Sequence, residues 1–135
     1  MIDVAHPNEV VIRRIYANFA KGDVGEVLAD CTDDVVFEVP GASRVAGTYA
    51  GRDGFLTGLL PALASVADMS TFSEDIDAVA CDDDHGVLLA TQRFRRLDGR
   101  QVEYRSAVVF GFRDGRMSRF VERAGNQAEY DDAWS

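Results

Sequence analysis

An α+β fold is the class the sequence predicts, and the order of its periodicities carries that reading. Apolar residues recur at helical spacing through much of the first half of the chain, up to Leu63. From Ser70 onward they alternate instead, in runs parted by Asp82-Asp83-Asp84, Asp98-Gly99 and Asp114-Gly115. Helices followed by a run of antiparallel strands pack as a sheet with helices on one side. A mostly antiparallel sheet curved around N-terminal helices leaves a cone open at one end, where small-molecule pockets are often found. The expected architecture is therefore a cone-shaped α+β barrel. Its 135 residues form one domain, 1–135, with no linker or internal repeat.

Pro7 to Ala20 reads as the first helix. Pro7 suits a first helical position, Glu9 favours the positive end of the dipole, and Gly22 is a natural stop. Ile12, Ile15 or Tyr16, and Phe19 form its apolar stripe. Asp23, with Glu26 three residues on, opens a second short helix through Asp30 that turns Val27 and Leu28 inward. Thr32-Asp33-Asp34 breaks the pattern, and Val35 to Val39 reads as a strand ending at Pro40-Gly41. The stretch 41–51, rich in small residues, reads as a loop. A third helix follows from Gly51, and Pro61 should kink or split it.

The four strands are expected at Thr71 to Ala80, Gly86 to Arg96, Val102 to Phe112 and Arg116 to Ala124. The last two form a hairpin at Asp114-Gly115, because few residue pairs tolerate the positive φ of such a turn. Val102, Tyr104, Ser106, Val108, Phe110 and Phe112 share one face. Across the turn, Met117, Arg119, Val121 and Arg123 alternate with Ser118, Phe120 and Glu122. The tail, 125–135, is expected to form one helical turn with Tyr130 and Trp134 on the same side.

A formal charge of -9 disfavours nucleic acid and anionic membrane surfaces, which need a basic stripe. Cys31 and Cys81 are far apart and form no CxxC pair, so buried thiols in a reducing compartment are expected. The opening residues 1–14 show no basic stretch followed by an apolar core, and no apolar run approaches a membrane span. Signal peptide and span are both expected to be absent, and the location cytoplasmic. His6 and His85 are isolated, so no metal site is expected. The GxSxG, Walker and GxGxxG patterns are missing, and Cys81 with His85 makes a poor nucleophile pair. No cofactor is expected.

VIRRIYANFAKGD (11–23), ADCTDDVVFEVPG (29–41), AGTYAGRDGF (46–55), FGFRDGRMSRFVER (110–123) and NQAEYDDAWS (126–135) occur in that order. With them the chain resembles the SnoaL-like, ketosteroid-isomerase-related branch of the nuclear-transport-factor-2-like superfamily, over nearly its whole length. That superfamily hosts isomerases, cyclases, epoxide hydrolases, dehydratases and non-enzymatic binders, so the resemblance implies the fold more firmly than the function. Alignment with ketosteroid isomerase puts Ile15 at its helix donor, Val39 at its base and Val108 at its protonated acid. All three are apolar here, and steroid isomerisation by that route is not expected.

The same resemblance implies a catalytic role for Glu122, which matches the acid/base residue of SnoaL-type cyclases. Its carboxyl, in a largely apolar hollow, is expected to have a raised pKa. Tyr16 on the helical wall is the second catalytic candidate. Tyr104 and Ser106 would orient the substrate, and Phe19, Phe37, Val39, Val108, Phe110 and Phe120 would line its site. Glu103 and Arg105 fall on the opposite face, where a cross-strand ion pair is the expected use. The partner expected is a small hydrophobic molecule, with a second copy of the chain on the outer face of the sheet. Two functions follow: cofactor-independent proton-transfer chemistry such as cyclisation, isomerisation or hydrolysis, or a non-catalytic ligand-binding module of the same fold.

Overall fold

The computed structural model describes residues 5–135; residues 1–4, part of the stretch read for a leader, lie outside it. Helix α1 spans Pro7–Ala20. His6 caps it, its Nδ1 accepting from the Asn8 N–H at 3.0 Å, and Pro7 occupies the first turn, where a missing N–H costs nothing. Val11, Ile12, Ile15 and Tyr16 are its buried stripe. Gly22, at φ 76°, turns the chain into α2, Val24–Ala29, which Asp23 caps through the Glu26 N–H at 3.3 Å.

Strand β1 spans Cys31–Val39, four residues more at its start than the sequence suggested. Asp33 and Asp34 look like breakers, yet they simply point outward and are held by distant arginines. Arg52 lies 3.1 Å from Asp33, and Arg113 lies 2.5 Å from Asp34. The expected loop also contains a strand, β2, Gly47–Ala50, paired antiparallel with the end of β1. The third helix is one rod in three parts: α3, Gly51–Gly54; a wider five-residue turn, Phe55–Leu59; and α4, Leu60–Ala64. The wider turn comes just ahead of Pro61, with the Leu60 N–H reaching back to the Phe55 carbonyl. The disruption expected of a proline inside a helix is thus absorbed as a local unwinding.

Strands β3 (Ala67–Cys81), β4 (His85–Arg96), β5 (Gln101–Arg113) and β6 (Arg116–Glu122) complete one sheet in the order β2-β1-β6-β5-β4-β3. All pairs are antiparallel except β1 with β6, and the sheet is open, curving about the helices on its concave face. Asp114 and Gly115 both have positive φ, 53° and 78°, as the tight hairpin between β5 and β6 requires.

The hairpin corrects the parity expected for Met117. Gly111 pairs with Arg119 and Phe112 with Met117, so Ser118 is an extra residue in β6. This bulge brings Met117 onto the inner face together with Phe120, where strict alternation would have parted them. Gly111 permits it, since a Cβ there would stand 3.2 Å from the Arg119 Cβ. Strand β6 ends two residues earlier than expected, at Glu122, because Ala124 adopts a left-handed φ of 55°. That corner leads into α5, Gln127–Trp134, capped by Asn126 and a full helix of eight residues rather than one turn. Its C-terminal carbonyls face cations from the β4–β5 turn: Arg96 donates to Ala133 O at 2.8 Å and Arg100 to Asp132 O at 2.9 Å. Among the described residues no helix is long and apolar enough to cross a membrane.

Candidate functional site

Between α1, the α3–α4 rod, α5 and the concave sheet lies a cavity of about 100 Å³. Its walls are mainly hydrocarbon: Ile15 and Phe19 from α1, Phe37 and Val39 from β1, Phe55 and Leu59 from the rod. Met117 and Phe120 of β6 and Phe72 of β3 add to them. The polar lining residues are Tyr16, Glu74, Gln92, Tyr104, Tyr130 and, at its indole nitrogen, Trp134.

Of the residues expected at the site, Tyr16, Phe19, Phe37, Val39, Tyr104 and Phe120 line this cavity. Ser106, Val108, Phe110 and Glu122 lie on the buried inner face of their strands but fall outside the cavity lining, which corrects their expected contact with a bound molecule. Phe110 is screened by Tyr16, whose ring stands edge-on to it with centroids 6.3 Å apart. The Tyr16 hydroxyl is itself buried and has no hydrogen-bond partner among the described residues. Burial, then the negative charges of Glu74 and Glu122, hold its pKa well above the ordinary phenol value. It is therefore a neutral donor at physiological pH.

Glu122 is 3 % exposed, and its partners are donors rather than an arginine. The Ser106 hydroxyl donates to Oε1 at 2.6 Å and the Ala124 N–H to Oε2 at 3.1 Å. Burial raises its pKa, while Ser106 and the nearby backbone N–H groups of Ala124, Ala107 and Arg123 pull the other way. Its contacts secure the left-handed corner before α5. The outer-face ion pair expected for Glu103 is made with Arg93, at 3.4 Å.

The carboxyl that does line the cavity is Glu74 of β3. Burial pushes it up to about 7, the Gln92 amide opposes that rise, and the Glu122 charge adds to it. Glu74 stands in a chain of hydrogen bonds across three strands and α5. The Trp134 indole donates to Tyr104 Oη at 2.8 Å, Tyr104 donates to Gln92 Oε1, and Gln92 Nε2 donates to Glu74 Oε2 at 2.9 Å. A signal for Glu74 was present in the sequence, since it stands between Phe72 and Ile76 at inward parity. Gln92 likewise stands between Ala90 and Phe94.

Neither cysteine offers a thiolate. Burial pushes the Cys31 thiol up to about 12, and the Cys81 thiol is raised as well. Among the described residues no cluster of three or more His, Cys, Asp or Glu side chains is arranged to hold a metal ion.

Comparison with known proteins agrees with this geometry. The protein Rv0034 of Mycobacterium tuberculosis, itself uncharacterized, is 29% identical over 126 residues, covering 93% of this chain and 94% of its own. An NTF2-like protein of unknown function from Burkholderia pseudomallei superposes with a TM-score of 0.85 at 22% identity, covering 96% of this chain and 98% of that one. TerC, crystallised with polyporic acid, superposes with a TM-score of 0.82 at 22% identity, covering 96% and 100%. The family model described as SnoaL-like domain matches residues 12–120. The chain belongs to the SnoaL-like domain family.

Proposed function

We propose that this chain is an enzyme that moves a proton on a small hydrophobic substrate held in the cavity. The observation that carries the reading is Glu74: one carboxyl in an apolar wall, with a proton affinity set near neutrality. A group poised there both takes and returns a proton at physiological pH. The Tyr16 hydroxyl, buried and without a partner among the described residues, is the donor for a substrate oxygen.

In the simplest step the Glu74 carboxylate removes a proton from carbon next to a carbonyl. The C–H electron pair becomes a carbon–carbon π bond, and the carbonyl π pair moves to oxygen, where Tyr16 donates a hydrogen bond. The protonated Glu74 then returns its proton at another atom, so the step balances without an oxidant, a reductant or a cofactor. Cyclisation, isomerisation and dehydration all share this opening. TerC, a protein of the same fold, was co-crystallised with polyporic acid, which supports an organic molecule as the kind of ligand.

The test is turnover of a panel of small cyclic and aromatic ketones across pH. For a reactive member kcat/KM is expected to rise through a midpoint at about 7, where Glu74 loses its proton. Panel members that bind without turnover under any of these conditions would mark the chain as a binding module instead.

We further propose that a second copy of the chain covers the outer face of the sheet. Val87 and Leu89 of β4 are exposed there, opposite Val109 and Ala107 of β5, and they make an apolar strip on an otherwise charged surface. Leu89→Arg is expected to convert a dimer to a monomer in light scattering at micromolar concentration. A wild-type chain that is monomeric there would remove this proposal.

A further inference from the structure

The chain of hydrogen bonds that ends on Glu74 has a direction, and hydrogen-bonding capacity alone fixes it. An indole N–H only donates, so Tyr104 must accept from Trp134. With its oxygen approached from that side, the Tyr104 hydroxyl directs its own hydrogen to Gln92, whose amide oxygen accepts it. The amide of Gln92 is thereby held in one sense, with its NH2 group facing Glu74 Oε2. Reversed, the amide would set its oxygen against the carboxylate and orphan the Tyr104 hydrogen in a buried site. Tyr104 and Trp134 are each 2 % exposed, so water offers neither group a substitute partner.

We infer that Gln92, locked by Tyr104 and Trp134, is a positioning residue for Glu74: it occupies Oε2 and leaves Oε1 as the oxygen that exchanges a proton with the bound molecule. The inference rests on the proton-transfer reading of Glu74 above. It assigns separate tasks to two aromatic groups of the cavity. Tyr104 is occupied within the chain of hydrogen bonds and is not the donor to substrate, whereas Tyr16 is free for that task. It also ties α5 to the carboxyl through Trp134, beyond the place Tyr130 of the same helix has in the cavity wall.

The groups that set the Glu74 titration come from two other strands. Beside burial they are Gln92 on β4 and the charge of Glu122 on β6, while Tyr16 on α1, Tyr104 on β5 and Tyr130 on α5 line the same cavity as neutral phenols. Gln92 is the donor among them that touches the Glu74 carboxyl. Removing it withdraws stabilisation from the charged form, so the Glu74 titration must move up.

The experiment is a carboxyl 13C NMR titration of the full chain labelled at glutamate, with the Glu74 signal assigned by its absence in Glu74→Gln. Gln92→Leu, close in size, is expected to raise the Glu74 midpoint by about 1–2 pH units, the size of a hydrogen bond to a charged group. Tyr104→Phe keeps the ring packing and releases the amide, and is expected to move it in the same direction by less. In turnover, both variants should shift the pH profile upward and lower kcat at pH 7 while leaving KM within about twofold.

An unmoved midpoint in Gln92→Leu, with the fold intact by the fluorescence of the single tryptophan, would overturn the inference. If Gln92→Leu does not fold, the titration of Tyr104→Phe decides in its place, and an unmoved midpoint there overturns the inference equally. The underlying reading fails separately. Glu74→Gln turning over at the wild-type rate would remove the proton-transfer role and leave the positioning effect on the carboxyl intact.

Discussion

Glu74→Gln is expected to lower kcat by about 10²–10⁴-fold, the usual contribution of a positioned acid/base, while making the protein more stable above neutral pH. The amide keeps the size of the carboxyl, and its oxygen still accepts from Gln92, so packing is conserved. What disappears is the titration. In the folded chain the Glu74 carboxyl is raised to about 7 from an ordinary 4.5, so the folded state holds that proton more tightly than the unfolded one. The stabilisation this provides is fully present below about pH 4.5 and is lost as pH rises through 7. Wild type should therefore lose stability over that window by on the order of 1–3 kcal/mol, a range reduced for the partial exposure of the side chain. The variant should lack that component of the pH dependence. Urea unfolding at pH 5 and pH 8 checks both. Equal pH dependence in the two proteins would show that Glu74 is not the group being desolvated. A variant that is inactive and yet more stable at pH 8 is the signature of a residue kept for chemistry rather than for folding.

The largest effect on stability is expected from Glu122→Ala. Glu122 is buried with both oxygens engaged, and its loss strands the buried Ser106 hydroxyl and removes the acceptor of the half-buried Ala124 N–H. Broken buried networks of this kind, with the space left by the side chain, cost about 3–5 kcal/mol. Glu122→Gln retains an acceptor and is expected to cost about 1 kcal/mol. The damage should also be directional. Ala124 stands at φ 55°, a conformation that a non-glycine residue keeps only where its surroundings hold it. Without Glu122 Oε2 that corner loses its side-chain acceptor, and α5 is the next element in the chain. Trp134 is the single tryptophan and is 2 % exposed, so undocking of α5 should appear as a red shift of fluorescence at denaturant levels below the main transition. One transition seen identically by fluorescence and circular dichroism would rule out this local route.

Much of the fold was legible because its longest strands obey strict alternation. In β5 every second residue from Tyr104 to Phe112 is buried, so the inner face could be read directly. Strand β2 was not legible: four residues, Gly47 to Ala50, pair along their backbone and carry almost no apolar pattern. The start of β1 was hidden for a different reason. The pairing of Asp33 and Asp34 with arginines far along the chain makes charged residues tolerable in a strand, and no local window reveals it.

The site followed the same division. Its hydrocarbon walls were legible from periodicity and from family likeness, and the inward parity of its ionisable group was masked by its acidic neighbours. Glu74 lies in the run Ser73-Glu74-Asp75-Ile76-Asp77, where acidity suggests a solvent face. The fold divides that run, turning Asp75 and Asp77 outward while Glu74 lines the cavity. Glu122 drew the attention instead because its apolar flanks are visible in the sequence. The donors that engage it, Ser106 and the backbone beyond it, are arranged by tertiary structure.

The bulge at Ser118 has a bearing on how the sheet avoids assembling wrongly. A plain strand offers a sliding partner several positions, and a slip by one residue turns every side chain over. In β6 the extra residue joins two segments whose inward phases differ, Met117 belonging to one and Phe120 with Glu122 to the other. Only a partner with a residue as slim as Gly111 at the facing position accommodates both phases at once. A slipped or unbulged pairing would drive Arg119 into the hydrocarbon interior and push Phe120 into water, penalised at both ends. Ser118 therefore serves as an alignment key that admits one mating of β5 with β6, and Glu122 meets Ser106 because the competing matings are closed.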